Sequence, residues 1–385
     1  MAPYHFSDQT ENFTTTFING SANYIYSLTG KVVHGQYRTS SDATTQSNGQ
    51  LSRRVSKNEG GHMPRAVKNL FADSLTAESE PQMKKQDSRV VDVEKRDRID
   101  EYLRLARRSI MNVLPDKWHT ALRYRRVFGE FPDLKNPRTF NEKICYRKIN
   151  PQPIYSVLSD KIAARDYVAH TIGEQYLVPC YAIESEPTPA TYSALPESFV
   201  MKANHGFGYN LLVRDKADHP FPQIYNLGQH WLGQDFYDVC REAHYRQIKP
   251  RLIFEKLLLD DLGNIPKDFK FHCFQREGED PVVFIEVTHD RFTNYKVDFY
   301  NQDWELVEIR RPEVSTGQAM PRPQQLDEAL ELALKLANGF SYVRVDFYLV
   351  GDAIYFGEMT FTPTAGLTKF KDRETDHQWG ALFDI

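Results

Sequence analysis

Downstream of about Pro153, apolar positions switch between two spacings. Ser159 to His170 repeats them at helical intervals, whereas Ser198 to Ala203 (SFVMKA) is a short apolar run of the kind a buried strand makes. Leu252 to Leu259 (LIFEKLLL), Lys270 to Phe274 and Val282 to Val287 (VVFIEV) predict further strands. Leu326 to Asn338 predicts a helix with Leu330, Ala333 and Leu336 on one face. Two strands close the pattern, Tyr342 to Val350 (YVRVDFYLV) and Ala353 to Met359 (AIYFGEM), joined through Gly351-Asp352. Strands interspersed with helices, without regular βαβ repetition, predict an α+β fold.

The first 83 residues differ. Thr39 to Gly61 contains almost no large apolar residue, so it buries too little surface to offset its ordering entropy, and a largely disordered extension is expected over 1–83. Gly60-Gly61-His62-Met63 resembles a cloning junction, with Met63 as an alternative start. Residues 84–148 hold 18 Lys+Arg against 10 Asp+Glu. Ile99, Leu103, Ala106, Ile110 and Val113 recur there at helical spacing among Arg104, Arg107 and Arg108, which predicts a basic helical segment over 84–133. A solvated amphipathic helix accounts for it. The alternative is a surface for an acidic partner, such as an anionic polysaccharide, a lipid-linked sugar phosphate or the inner membrane face.

Composition narrows the class. With 385 residues and 13% aromatics the chain can build a sizeable core, and a mean hydropathy of −0.57 without a long apolar run argues against a membrane span. A net charge of −4 speaks against a nucleic-acid partner. The four cysteines (Cys145, Cys180, Cys240, Cys273) form no CxxC pair and read as reduced thiols, and the first 30 residues lack a signal-peptide pattern. A cytoplasmic location is expected.

Four segments carry chemistry. In the closing hairpin, Arg344 and Asp346 share a face, and the partner strand can bring Glu358 beside Asp346. Two buried carboxylates need a cation, and Mg²⁺ suits oxygen ligands and nucleotide phosphates; pairing with Arg344 and a lysine is the structural alternative. In FVMKANHGFGYN a strand ends at Lys202 and leads into a loop with Gly206 and Gly208. Such a loop can cradle phosphates, although an ordinary glycine hairpin fits as well and GK[ST] is absent. Asp160-Lys161 opens a helix with Arg165 a turn later. Glu255-Lys256 interrupts an apolar strand, which fits either an adenine-facing linker or an edge strand with solvated charges.

The ordered series (DK, strand–Lys–glycine loop, apolar-Glu-Lys-apolar, RxD with a following Glu) resembles the ATP-grasp superfamily, including its D-alanine–D-alanine ligases. More narrowly, it resembles the ATP-grasp family named after the teichuronopeptide biosynthesis protein TupA. NPRTFNEKI, LSDKIAARDYV, FVMKANHGFGYN, KPRLIFEKLL, DFKFHCF, DRFTNYKVDFYNQDW and YVRVDFYLVGDAIYFGEMTFTPTAG carry the likeness from about Leu134 to Leu382. It implies an ATP-grasp domain over 134–385, two α+β subdomains clasping ATP: a glycine-loop subdomain at about 199–255 and a metal-binding one at about 256–385. Lys161 and Lys202 would hold ATP phosphates under the Gly206–Gly208 loop, with His205 beside it. Glu255 and the backbone of Lys256 to Leu258 would read adenine, and Asp260 or Asp261 the ribose. Lys270 would bind a further phosphate, Arg344 would stabilise the transferred phosphoryl group, and Asp346 and Glu358 would bind Mg²⁺. Where the superfamily has Asn two residues after the metal-binding Glu, this chain has Thr360, so Thr360 and Thr362 are its candidate replacements.

The resemblance further implies a carbon–nitrogen ligase that makes an amide through an acyl phosphate, acting in cell-surface polysaccharide modification on a carboxylate-bearing sugar and an amino acid or other amine. Acceptor contacts are expected from Arg291 and Asn294, with Arg138 and Lys143 nearby. Rival readings are a phosphotransferase of the same fold, a glycosyltransferase of such a pathway and a non-catalytic ATP-binding scaffold.

Overall fold

The computed structural model describes residues 113–289 and 295–385. The expectations for residues 1–83, for the helix built on Ile99 to Ile110, and for Arg291 and Asn294 lie outside the described residues.

Two antiparallel sheets organise the chain. The smaller has four strands in the order β1-β4-β2-β3, formed by β1 (Cys180–Glu184), β2 (Phe199–Ala203), β3 (Asn210–Val213) and β4 (Leu252–Glu255). Phe199, Met201, Leu252 and Phe254 pack with Ile224 and Trp231 of a helix at Phe221–Leu232. The sheet thus begins at Cys180, ahead of the expected 199, because β1 pairs with β4. The run LIFEKLLL is strand only to Glu255. The Lys256 amide turns to the Pro179 carbonyl and the chain leaves the sheet.

The larger sheet runs β10-β9-β5-β6-β7-β8. Its strands are β5 (Asp268–Phe274), β6 (Val282–His289), β7 (Lys296–Tyr300), β8 (Leu306–Val307), β9 (Tyr342–Val350) and β10 (Ala353–Thr360). Period-two alternation splits its residues between two faces. Phe269, Phe271, Val283, Ile285, Val343, Val345 and Phe347 face back and pack on the helix Leu326–Ala337, whose Leu326, Ala329, Leu332, Ala333 and Leu336 are buried. Each large apolar side chain so buried contributes roughly 1.5–3 kcal/mol. One end of the front face is closed by aromatic rings. Phe140, from the helix α1 (Phe140–Ile149), meets Phe274, Tyr342, Trp379 and Phe383 edge-on.

The helix α1 starts at a capping box: Thr139 accepts from the Glu142 amide and the Glu142 carboxylate takes back the Thr139 amide. Its basic residues serve the fold. Lys143 donates to the carbonyls of Gly380 (2.8 Å) and Phe383 (2.5 Å), and Arg147 donates to the Tyr342 carbonyl at 2.7 Å. Lys143 is therefore committed to backbone carbonyls instead of the acceptor contact expected for it. The helix expected over Ser159 to His170 starts only at Ala163 and runs to Thr171; Ser159 ends a separate helix, Pro153–Ser159, because the Asp160 carboxylate takes the Ile162 amide at 2.8 Å and breaks the turn between them.

All four cysteines are free thiols. Among the described residues no helix is long and apolar enough to cross a membrane.

Four described histidines are buried, and three of them, strongly shifted, make the fold acid-sensitive. Burial pulls His119 and His244 down to about 3 and His272 to about 4, so all three are neutral in the folded protein. The unfolded chain takes up their protons below about 6.5, and the fold does not. Their contribution is complete above that pH and falls by about 1.4 kcal/mol per histidine per pH unit on acidification. Urea midpoints measured from pH 7 to pH 5 should drop steeply, and a His244→Gln variant should flatten the slope by one such increment.

Candidate active site

The glycine loop of the small sheet is anchored by Asp160-Lys161. Asn204, where β2 ends, donates to Asp160 Oδ1 (2.8 Å) and to the Lys249 carbonyl (3.1 Å), while its own Oδ1 takes the Arg251 amide (2.7 Å). The Lys161 ammonium donates to the Gly206 carbonyl. Burial lowers the Lys161 pKa, opposed by Glu358 from the other sheet. Gly206 has no room for a side chain, since a Cβ there would lie 2.5 Å from the Phe236 ring. Gly208 sits at φ +79°, a left-handed conformation suited to glycine.

Lys202 lies at the end of β2, on the same face as Glu255 of the neighbouring β4. The Glu255 carboxylate is shared by two cations: Oε2 accepts from Lys202 (2.8 Å) and Oε1 from Arg165 (2.9 Å). Burial works against charge on Lys202, but Glu255 outweighs it and raises its pKa. Lys202 is thus a fixed, fully charged ammonium.

In the larger sheet four charged side chains form one row across four strands. Glu358 pairs with Asp346, Asp346 with Lys270 and Lys270 with Glu286. Glu358 reaches this row only through a β-bulge. From the Gly351-Asp352 turn outward, regular pairing runs to Phe347↔Phe356, and one more step would set Gly357 opposite Asp346. The bulge at Gly357 puts Glu358 there instead. A Cβ on Gly357 would lie 3.1 Å from the Asp346 carbonyl oxygen, so the bulge favours glycine.

Arg344 holds the two acids together. Its Nε and Nη2 donate to the two oxygens of Asp346, both at 2.7 Å, and Nη2 also donates to Glu358 Oε1 at 2.7 Å. Thr360 adds a bond to Glu358 at 3.2 Å. Lys270 donates to Glu286 (3.0 Å) and Thr288 (2.9 Å). The two coupled acids respond in opposite directions. Burial lifts Asp346 to about 7 despite Arg344, with Glu358 adding to the rise. For Glu358, burial is outweighed by Arg344 and Lys161, and its pKa falls.

Other sequence-derived candidates are placed as follows. His205 is buried, its Nε2 on the Gln234 carbonyl at 3.2 Å, so it turns inward from the loop. Asp260 closes its own turn by accepting the Leu262 and Asn264 amides, which leaves Asp261 exposed. Lys256 is exposed and Leu258 half-buried. Glu255 spends both oxygens on cations, so its carboxylate is not free to meet adenine. Thr362, a candidate replacement for the missing Asn, donates instead to Glu242 at 2.5 Å. Sequence reasoning missed Glu286, although a lone acid inside VVFIEV signalled it, and Glu242, which no pattern singled out.

Two antiparallel sheets, one presenting lysines and a glycine loop and the other an acid pair, form the ATP-grasp architecture, that of a class of ATP-dependent ligases. The chain belongs to the TupA-like ATP-grasp family, whose model matches residues 142–384. No curated protein matches it. Among solved structures it is similar to N5-carboxyaminoimidazole ribonucleotide synthetase from Thermus thermophilus (12% identity, TM-score 0.31, 53% of this chain and 45% of that one). D-alanine–D-alanine ligase from Helicobacter pylori gives 12% identity and a TM-score of 0.33 over 60% of this chain and 62% of that one. The Bacillus anthracis enzyme complexed with ATP gives 14%, 0.31, 55% and 56%. The chain spans about half the length of these structures.

Proposed function

We propose that the protein is an ATP-dependent carboxylate–amine ligase that forms an amide through an acyl phosphate, in the cytoplasm, during modification of a cell-surface polysaccharide. The observation that carries this reading is the row Glu358–Asp346–Lys270 with Arg344 across it, on the sheet that faces Lys161 and Lys202.

Lys161 and Lys202 would bind ATP phosphates with the Gly206–Gly208 amides closing over them. The backbone of Lys256 to Leu258 would meet the adenine and Asp261 the ribose. Lys270 and Arg344 would neutralise charge on the phosphoryl group in transfer, the main task of a protein in such chemistry.

Asp346 and Glu358 would hold Mg²⁺, and the donor set fits. No cluster of three or more metal-binding side chains exists among the described residues, and Mg²⁺ on a nucleotide takes one or two carboxylates plus phosphate oxygens. Asp346, lifted to about 7 even with an arginine on both oxygens, is a buried acid short of positive charge. When bound, the cation would supply that charge and offset the negative charge of the nucleotide phosphates. The acceptor would be a carboxylate-bearing sugar or polysaccharide precursor, with Arg291 and Asn294 as contacts, and the amine an amino acid.

The test is ADP release with Mg·ATP and a panel of uronic acids, with hydroxylamine as the amine. ADP and hydroxamate in equal amounts are expected. Turnover that ignores the carboxylate, or a phosphosugar without hydroxamate, would replace this reading with a phosphotransferase.

A further inference from the structure

We propose that a second, basic cavity binds an anionic saccharide. It has a volume of about 340 Å³ and lies between the helix Asp116–Phe128 and the segment from Thr368 to Asp376. That volume is within the range of small-molecule sites. Half-buried Phe128 supplies aromatic surface, and Arg311, Lys369, Lys371 and Arg373 bring four cations to its lining.

Three acids also line the cavity, but each is already engaged. Asp376 accepts the Asn141 amide (2.9 Å) and side-chain amide (3.0 Å). Asp372 caps the helix Arg373–Ala381 through the Thr375 amide (2.8 Å) and hydroxyl (2.7 Å). Glu130 pairs with Arg373. Lys371 interacts electrostatically with Asp372 and has a 3.9 Å contact with the exposed Glu308, whereas Arg311 and Lys369 have no ion pair among the described residues. Uncommitted positive charge beside an aromatic ring is the chemistry that recognises a sugar ring bearing a carboxylate or a phosphate.

One wall, Tyr124 to Glu130, precedes the residues matched by the family model, so the cavity includes a part outside that match. The opposite wall begins eight residues on from Thr360, so a polymer lodged here would be held by the segment that leaves the acid pair. Only this last step, the saccharide as acceptor, rests on the ligase reading.

Calorimetry on the full chain, without nucleotide, would use digalacturonate, glucose 6-phosphate, lactose and inorganic phosphate as probes. Digalacturonate or glucose 6-phosphate should bind in a salt-sensitive way and lactose should not; the tighter of the two identifies the anionic group. Arg311→Glu with Lys369→Glu, both exposed positions, should weaken binding at least ~10-fold while Mg·ATP affinity stays unchanged. Failure of both sugars to bind, binding indifferent to the charge reversal, or inorganic phosphate binding as tightly would each overturn the proposal. A cavity that binds while the hydroxamate assay fails would remove the ligase reading alone.

Discussion

Replacing Arg344 with alanine is expected to abolish ATP turnover and to weaken the fold by about 3–5 kcal/mol. Arg344 is nearly buried and makes three 2.7 Å bonds to Asp346 and Glu358. Without it two carboxylates face each other across adjacent strands with no cation between them. An arginine stabilising charge in phosphoryl transfer is worth roughly 10³–10⁵ in rate. Denaturation curves and ADP release on the same preparation would measure both losses. Arg344→Lys restores the charge without the planar fork, so it should recover most of the stability but little of the rate. A variant that keeps wild-type turnover would remove Arg344 from the chemistry.

Asp346→Asn should cost a comparable factor, about 10³ in turnover, yet leave stability at pH 8 unchanged or raised. The acid's pKa is lifted to about 7, so the folded chain holds a proton that the unfolded chain has released by about pH 4. Its contribution to stability therefore declines as pH rises from about 4 to 7, and a neutral amide escapes that decline. The difference in urea midpoint between wild type and variant should grow in the variant's favour over that interval. Adding Mg²⁺ should shrink the difference at pH 8 by favouring the ionised acid. If Mg²⁺ stabilises both proteins equally, Asp346 is not its ligand. The two substitutions thus share one effect on rate and part on stability.

Much of this site was legible in the chain before any fold was known. Arg344 and Asp346 sit two apart in an apolar strand, so local periodicity was enough to mark them, whereas Lys202 and its glycine loop fit an ordinary hairpin as well and were marked by the family resemblance. The large strands were legible for the same reason. The commitments of the polar groups were not. Glu255 and Lys143 each read as available, but Glu255 is shared between Arg165 and Lys202, and Lys143 ends on carbonyls more than 230 residues away. Which long-range partner a charge finds depends on the packing of whole elements, and spacing carries no record of it. The bulge did leave a trace: apolar residues at Ile354 and Phe356 are followed by Met359 and Phe361, a gap of three where two is regular.

That gap has a consequence for how the last ribbon tolerates change. Before Gly357 the even-numbered residues point into the core, and after it the odd-numbered ones do, as Ile354 and Phe356 against Met359 and Phe361 record. The glycine acts as a change of phase, and the side of the sheet on which the acid emerges is decided by the parity of the residue count back to Asp346. An added or lost residue in that interval inverts the parity and sends Glu358 into the hydrocarbon interior. Loss of Gly357 itself is the exception, since the plain ladder then delivers the acid to the same place.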